Sequence, residues 1–412
     1  MERSETRILT THAGSLPRPK DLLAGGASPE RVREATAEVV RKQREIGLDI
    51  IDDGEFGKPS FLTYVNSRLG GFEVDAGRGG SPWANSRESK SFPEFYNASI
   101  ASGANASVLS NRMVCTGPIT YKGHAQVKSD IENFKAALQG VDYSEAFLPA
   151  ISVCNIEDWQ RNAYYKTQEE YLFAIADAMN AEYKAIVDAG FLLQVDDPRL
   201  VTYYIMVPDA TMKDVRKWAN LRVEAVNHSL RGIPSDRIRY HTCYSINFGP
   251  RIHDMQLKDI VDIIMKVKAD AFSFEAANPR HEHEWEVWSE VKRPKNKILI
   301  PGVVTQSSIL VEHPELVKQR IMRFAGVVGR ENVIAGADCG FATFAGSTEI
   351  HPSIAWAKLQ AIVEGAKLAS KELFPKGAAK KKAASRKPAK RVAARKPARR
   401  PARRVARRAA SR

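Results

Sequence analysis

His241 and Cys243 stand two residues apart in a short apolar and β-branched run. Side chains two apart on a strand share one face, so this imidazole and this thiol can aim at one point. That is a zinc-type ligand pair. Glu275, in Phe272-Ser273-Phe274-Glu275, and Cys339, in Ala337-Asp338-Cys339-Gly340, also close strand-like runs. Taken alone, a strand His and Cys are more often core or rim residues than ligands. If the runs are successive strands of one barrel, their C-terminal ends ring one pocket, and His241, Cys243, Glu275 and Cys339 can converge on a single zinc.

The elements that must position them follow from periodicity. Strands are predicted at 8–14, 49–54, 113–119, 191–196, 238–244, 271–275, 298–304 and 333–337, mostly separated by segments long enough for helices. Apolar residues recur at helical spacing most clearly over 169–189 and 257–268. Eight strands alternating with helices predict an α/β fold, a (β/α)8 TIM-type barrel, with a doubly wound open sheet as the structural alternative. No G-x-G-x-x-G follows any strand, which argues against dinucleotide binding. After the second strand, residues 70–112 are rich in Gly, Ser, Asn and Pro without a clean period and read as a loop insertion, either a lid or a surface loop.

Charge divides the chain. Of 62 Lys and Arg residues, 17 fall at 376–412 with no acid among them, leaving 45 against 48 acidic residues before that point. The whole-chain net of +14 thus belongs to the last 37 residues, and what precedes them carries −3. The expected organisation is a catalytic barrel over 1–375 and a Lys/Arg/Ala/Pro-rich tail over 376–412. The tail lacks the apolar content to offset its ordering entropy and is expected to be disordered. Its cations suit sequence-independent, salt-dependent contact with phosphates, and its lack of aromatics removes any stacking platform for single strands. Non-specific nucleic-acid binding, and with it nucleoid association, is therefore the rival function of a different class. No run of about 18 apolar residues predicts a membrane span, and the N-terminus lacks a signal-peptide stretch, so a cytoplasmic location is expected. Four scattered cysteines there read as free thiols or metal ligands.

From Arg7 to about Leu368 the chain resembles the C-terminal catalytic barrel of cobalamin-independent methionine synthase, in a single-barrel form. The resemblance rests on THAGSLPRP, DDGEF, CTGPIT, LQVDDP, HTCYS, SFEAANPR and GADCGF, in that order. It implies a zinc held by His241, Cys243, Glu275 and Cys339, and zinc-dependent transfer of a methyl group from a methyltetrahydrofolate to homocysteine. Ser15, Glu55 and Asp196 match family positions that hold the amino acid. Two carboxylates suit an α-ammonium group, and the Ser15 hydroxyl or amide suits an α-carboxylate. The plain alternative for Asp196-Asp197-Pro198 is a turn with local side-chain bonds.

Two departures bear on the donor. The full-length synthase has a second, N-terminal barrel that this chain lacks. The family's general acid is a His a few residues after Pro-Gly-Val on strand seven, where this chain reads Pro301-Gly302-Val303-Val304-Thr305-Gln306-Ser307-Ser308. Cleaving a carbon–nitrogen bond requires a protonated leaving amine. His281 and His283 are candidate substitutes; the alternative is that they belong to a polar rim or helix start. An epoxyalkane–coenzyme M transferase type of alkyl transfer, or a methylated corrinoid protein as donor, would keep the zinc–thiol chemistry and change the partner carbon.

Overall fold

In the computed structural model, short parallel strands carry the core and helices wrap it. The structure describes all residues except 24–26, 76–82, 102–111, 245–248, 293–296, 346–349 and 376–412. The tail, with the disorder and nucleic-acid contacts expected of it, lies outside the described residues. The barrel and its decorations form one compact unit over Met1–Leu373.

In chain order the strands are β1 (Leu9–Thr10), β2 (Ile50–Ile51), β3 (Leu69–Val74), β4 (Met113–Tyr121), β5 (Glu145–Ile151), β6 (Arg161–Asn162), β7 (Leu192–Asp196), β8 (Ile238–Thr242), β9 (Ala271–Phe274), β10 (Ile298–Val304) and β11 (Ile334–Ala337). Eight of them form one sheet in the order β1-β11-β10-β9-β8-β7-β5-β2, all parallel. Its two ends meet where Asp49 N–H donates to Thr10 O (3.1 Å) and the Thr11 hydroxyl donates to Ile50 O (3.0 Å). The sheet thus comes round into a nearly closed (β/α)8 barrel, as the alternation of elements predicts.

One apolar cluster takes residues from seven of the eight strands, Leu9, Ile50, Phe147, Leu192, Ala271, Ile298, Ile300 and Ile334 among them. The remaining strand, β8, sends Arg239 inward, fully buried with its guanidinium 3.8 Å from the Phe147 ring centroid. Outside the sheet, the helix at Gln168–Asp188 shows how local chemistry sets the ends. The Thr167 side chain accepts the Glu170 N–H, which satisfies one of the orphan donors of the first turn. Its buried face includes Tyr171, Leu172, Ile175, Met179 and Tyr183, close to the amphipathic segment expected at 169–189. The segment expected as a helix at 257–268 is instead a 3-10 turn at Leu257–Asp259 and a short helix at Val261–Ile264.

The third expected strand is a correction. Residues 113–119 do form a strand, β4, but it belongs to a side sheet of order β3-β4-β6. The barrel's third strand is β5, Glu-Ala-Phe-Leu-Pro-Ala-Ile, whose central Pro149 and two alanines read against a strand. β5 is tolerated there because it is buried on both faces, whereas most of β4 is half-buried or exposed.

The insertion follows the second barrel strand but is not merely a loop. It contributes β3 and helices at Arg87–Ser91 and Pro93–Ala101. Glu88, fully buried, accepts the backbone N–H groups of Arg251 (3.0 Å) and His253 (2.8 Å), so the insertion is tied to the loop after β8. Among the described residues no helix is long and apolar enough to cross a membrane.

Candidate active site

Ser15, Glu55, Asp196, His241, Cys243 and Cys339 line one cleft at the C-terminal ends of the barrel strands. Each residue arrives by the same route: Ser15 follows β1, Glu55 follows β2, Asp196 ends β7, His241 and Cys243 end and follow β8, and Cys339 follows β11. A parallel barrel turns all these strand ends to one face.

On one side of the cleft, ligand atoms of His241, Cys243 and Cys339 all lie within 4.8 Å of one another, and all three residues are buried. The two sulfurs are 3.1 Å apart and not joined in a disulfide. His241 Nδ1 meets Ser273 Oγ at 3.0 Å, while its Nε2 is buried without a hydrogen-bond partner. Burial, and then the Arg239 charge, push the imidazole down to about 3, which keeps it neutral and able to ligate. One fixed ring nitrogen, one orphaned nitrogen and two adjacent thiols are a donor set that fits zinc.

Glu275, just past β9, is not in that group. Its carboxylate accepts Tyr244 N–H (2.7 Å), Asn278 Nδ2 (2.7 Å) and Arg251 Nη2 (2.8 Å).

The two carboxylates line the same cleft, Asp196 directly beside His241 in the β7–β8 register. Asp196 accepts Gln194 Nε2 at 2.7 Å, and burial together with the nearby Glu55 charge holds its carboxyl well above the ordinary range. Glu55 sits in the left-handed region (φ 61°), its N–H donated to Asp53 Oδ1 in the Asp-Asp-Gly-Glu turn. A methyl on Gly14 (φ 123°) would stand 2.8 Å from Glu55 Oε1, so only glycine lets the chain pass there. Two buried acids side by side favour a cationic group between them. The neighbouring Asp197 takes the structural part of this pair: it accepts from Cys154 Sγ (2.7 Å) and Tyr240 Oη (2.6 Å) beneath the cleft.

The two candidate acids lie away from the cleft wall. His283 is exposed on the 3-10 turn Glu282–Glu286. His281 is buried, stacked on Tyr244 (centroids 3.9 Å apart), with Nε2 3.0 Å from Asp254 Oδ2 and Nδ1 2.8 Å from Glu284 Oε2. Burial opposes its charge, but the bonds to Asp254 and Glu284 win and raise it to about 9. A raised value means that the imidazolium stabilises the fold fully below pH of about 6.5, and that this stabilisation fades as pH climbs through about 9. Nitrogen chemical shifts are expected to show His281 still doubly protonated at pH 8; a neutral ring at that pH would contradict the assignment.

Three buried arginines do work that motif reading missed. Arg18 donates to Ala342 O, Glu55 O and Lys58 O, each at 2.9 Å, and so staples the loops after β1, β2 and β11 around the cleft. Arg239 lies beneath the metal-type donors, and Arg251 beside Glu275. The signal for Arg239 was available: the spacing of two that pairs His241 with Cys243 puts Arg239 on the same face.

The fold is thus a parallel α/β barrel whose mouth gathers a His/Cys/Cys cluster and a pair of buried carboxylates. The family model for the catalytic domain of cobalamin-independent synthase matches residues 154–367, just over half the chain, and the chain belongs to that family. It is 24% identical over 380 residues to methionine synthase of Thermococcus kodakarensis, covering 89% of this chain and 95% of the relative. With the Pyrococcus furiosus methionine synthase it shares 25% identity over 404 residues, covering 90% and 96%. Among solved structures, the B12-independent methionine synthase from Shewanella sp. W3-18-1 in complex with selenomethionine superposes with a TM-score of 0.68 at 17% identity, covering 89% of this chain and 99% of that one; this likeness concerns the fold.

Proposed function

We propose that the chain is a zinc-dependent S-methyltransferase that moves a methyl group from a methyltetrahydrofolate to homocysteine. One observation carries the reading: a soft-donor cluster and a carboxylate pair line a single cleft at the mouth of the barrel. The named relatives, which this chain matches over nearly their whole length, support it.

Glu55 and Asp196 receive the α-ammonium group, and Ser15 offers its hydroxyl and amide to the α-carboxylate. Held at that end, homocysteine extends its sulfur toward His241, Cys243 and Cys339. Those three would hold zinc, with Glu275 the further ligand that family membership suggests. A bound zinc supplies a Lewis-acidic point that lowers the pKa of a thiol placed beside it. Ser273 fixes the His241 ring so that Nε2 faces the cluster. Among the described residues His241 is the one histidine in the cleft wall, so the proton for a leaving amine must come from elsewhere, and the donor is the part of the reading most in need of a test.

The zinc-loaded protein, given homocysteine and 5-methyltetrahydrofolate, is expected to form methionine in step with the folate consumed. Thioether formation from an epoxide and coenzyme M, with no methionine from the folate, would replace this reading by the epoxyalkane–coenzyme M transferase type.

A further inference from the structure

We propose that Thr343 is a specificity-determining residue for the thiol substrate: its hydroxyl, together with that of Ser15, receives the α-carboxylate. The inference deepens the reading of the cleft as a homocysteine site and rests on it.

Thr343 lines the cleft from the loop after β11, four positions beyond Cys339. It is 9% exposed, and its Oγ1 is buried without a hydrogen-bond partner. A loop threonine commonly turns its hydroxyl onto a nearby backbone group. Here it does not, although leaving a buried hydroxyl unpaired costs stability. A polar group kept at that cost in the wall of a binding cleft awaits a partner from the ligand.

The surrounding backbone holds the hydroxyl in place. Ser60 bridges Phe344 in antiparallel fashion, Phe61 N–H donates to Thr343 O (3.3 Å), and Ala345 N–H donates to Pro59 O (2.9 Å). Arg18 ties the same two loops through Lys58 O and Ala342 O. The Phe61 ring, edge-on to Phe344 at 6.0 Å, forms apolar wall beside the hydroxyl.

Ser15 belongs to the same corner. Phe341 N–H donates to Ser15 O (2.9 Å), and a methyl on Gly340 would stand 2.1 Å from Ser15 Oγ. Glycine at 340 lets the Ser15 hydroxyl lie against the loop that carries Thr343. The two hydroxyls therefore come from loops in contact, whereas Glu55 and Asp196 come from the ends of β2 and β7.

Charge decides what the hydroxyls receive. Among the described residues, the cleft wall carries two carboxylates and neither Lys nor Arg. An entering carboxylate finds no cation to pair with, so neutral donors must take it. A hydroxyl bonded to an ionised acceptor makes a stronger bond than one between neutral groups. Thr343 thus supplies selectivity for a thiol that bears a carboxylate.

The test uses zinc-loaded full-length protein and two thiols, homocysteine and 3-aminopropane-1-thiol, which is homocysteine without its carboxylate. Dissociation constants are measured by titration calorimetry with no methyl donor present. Thr343→Val, which keeps the shape and removes the hydroxyl, is expected to weaken homocysteine about tenfold. Its affinity for 3-aminopropane-1-thiol is expected to stay within about twofold of wild type. Thr343→Ala is expected to show the same selectivity, and Thr343→Ser to restore homocysteine binding. Unchanged homocysteine affinity in Thr343→Val and Thr343→Ala overturns the assignment and leaves the hydroxyl to water. An equal loss for both thiols overturns it too, because the residue then shapes the cleft without reading the carboxylate. Wild-type protein that binds neither thiol overturns the homocysteine reading and this assignment with it.

Discussion

Cys339→Ser protein is expected to hold almost no zinc after dialysis, where wild type holds about one per chain, and to lose methyl transfer with it. A serine hydroxyl stays protonated near neutral pH and is a poor ligand for a borderline-soft ion. Among the described residues, the only donors grouped with it are His241 and Cys243. Nor can the backbone drift to offer another donor. The preceding residue, Asp338, is fully buried and accepts the N–H groups of Ala276 (2.7 Å) and Ala277 (2.9 Å), which pins the turn after β11 to the turn after β9. Cys243→Ser is expected to behave alike, whereas Cys115→Ser, far from the cleft, keeps its metal. Elemental analysis of folded protein decides the matter. A Cys339→Ser protein with full zinc and full turnover would remove the metal reading.

The second large effect concerns stability. Arg239→Leu is expected to cost about 3–5 kcal/mol in urea unfolding, the usual scale when one partner of a buried charge set is removed. Burial brings the guanidinium down to about 10, and the Asp196 and Asp52 charges oppose that fall, so it stays cationic at neutral pH. Its Nη2 donates to His12 O at 2.8 Å and its Nη1 to Thr11 Oγ1 at 3.1 Å, which bonds β8 across the barrel interior to the end of β1. Leucine would leave those acceptors unpaired and two buried acids without their cation. A loss below about 1 kcal/mol would mean that the acids are already neutral in the folded state and need no counter-charge.

Much of this architecture was legible before any coordinates. The strands that bear chemistry are short runs with apolar residues in each, and their ends are marked by the polar residues that make the site. Three of the four residues expected to bind metal come together, and the three expected to bind substrate line the same cleft. What escaped reading has specific causes. β5 hid behind Pro149 and its alanines, because burial on both faces overrode a weak strand propensity. β4 took its place in the reading because a half-buried strand and a barrel strand look alike over seven residues. The Glu275 arrangement was invisible because it depends on Arg251, whose backbone conformation is set by Glu88, 163 positions away in the chain. His281 and His283 look equivalent in sequence, yet one turn of 3-10 helix buries the first and exposes the second.

The seam between β1 and β11 has a consequence for biogenesis. Leu9 pairs with Ile334, the Ser4 hydroxyl donates to Val333 O, and Ile8 N–H donates to Ser370 Oγ. At about 5–20 residues per second, the ribosome delivers β11 on the order of tens of seconds after β1. Throughout that interval the nascent chain presents an unpaired strand edge, the kind of surface that recruits chaperones or aggregates. Completion of the cleft, whose walls come from the loops after β1 and β11 alike, therefore waits for β11.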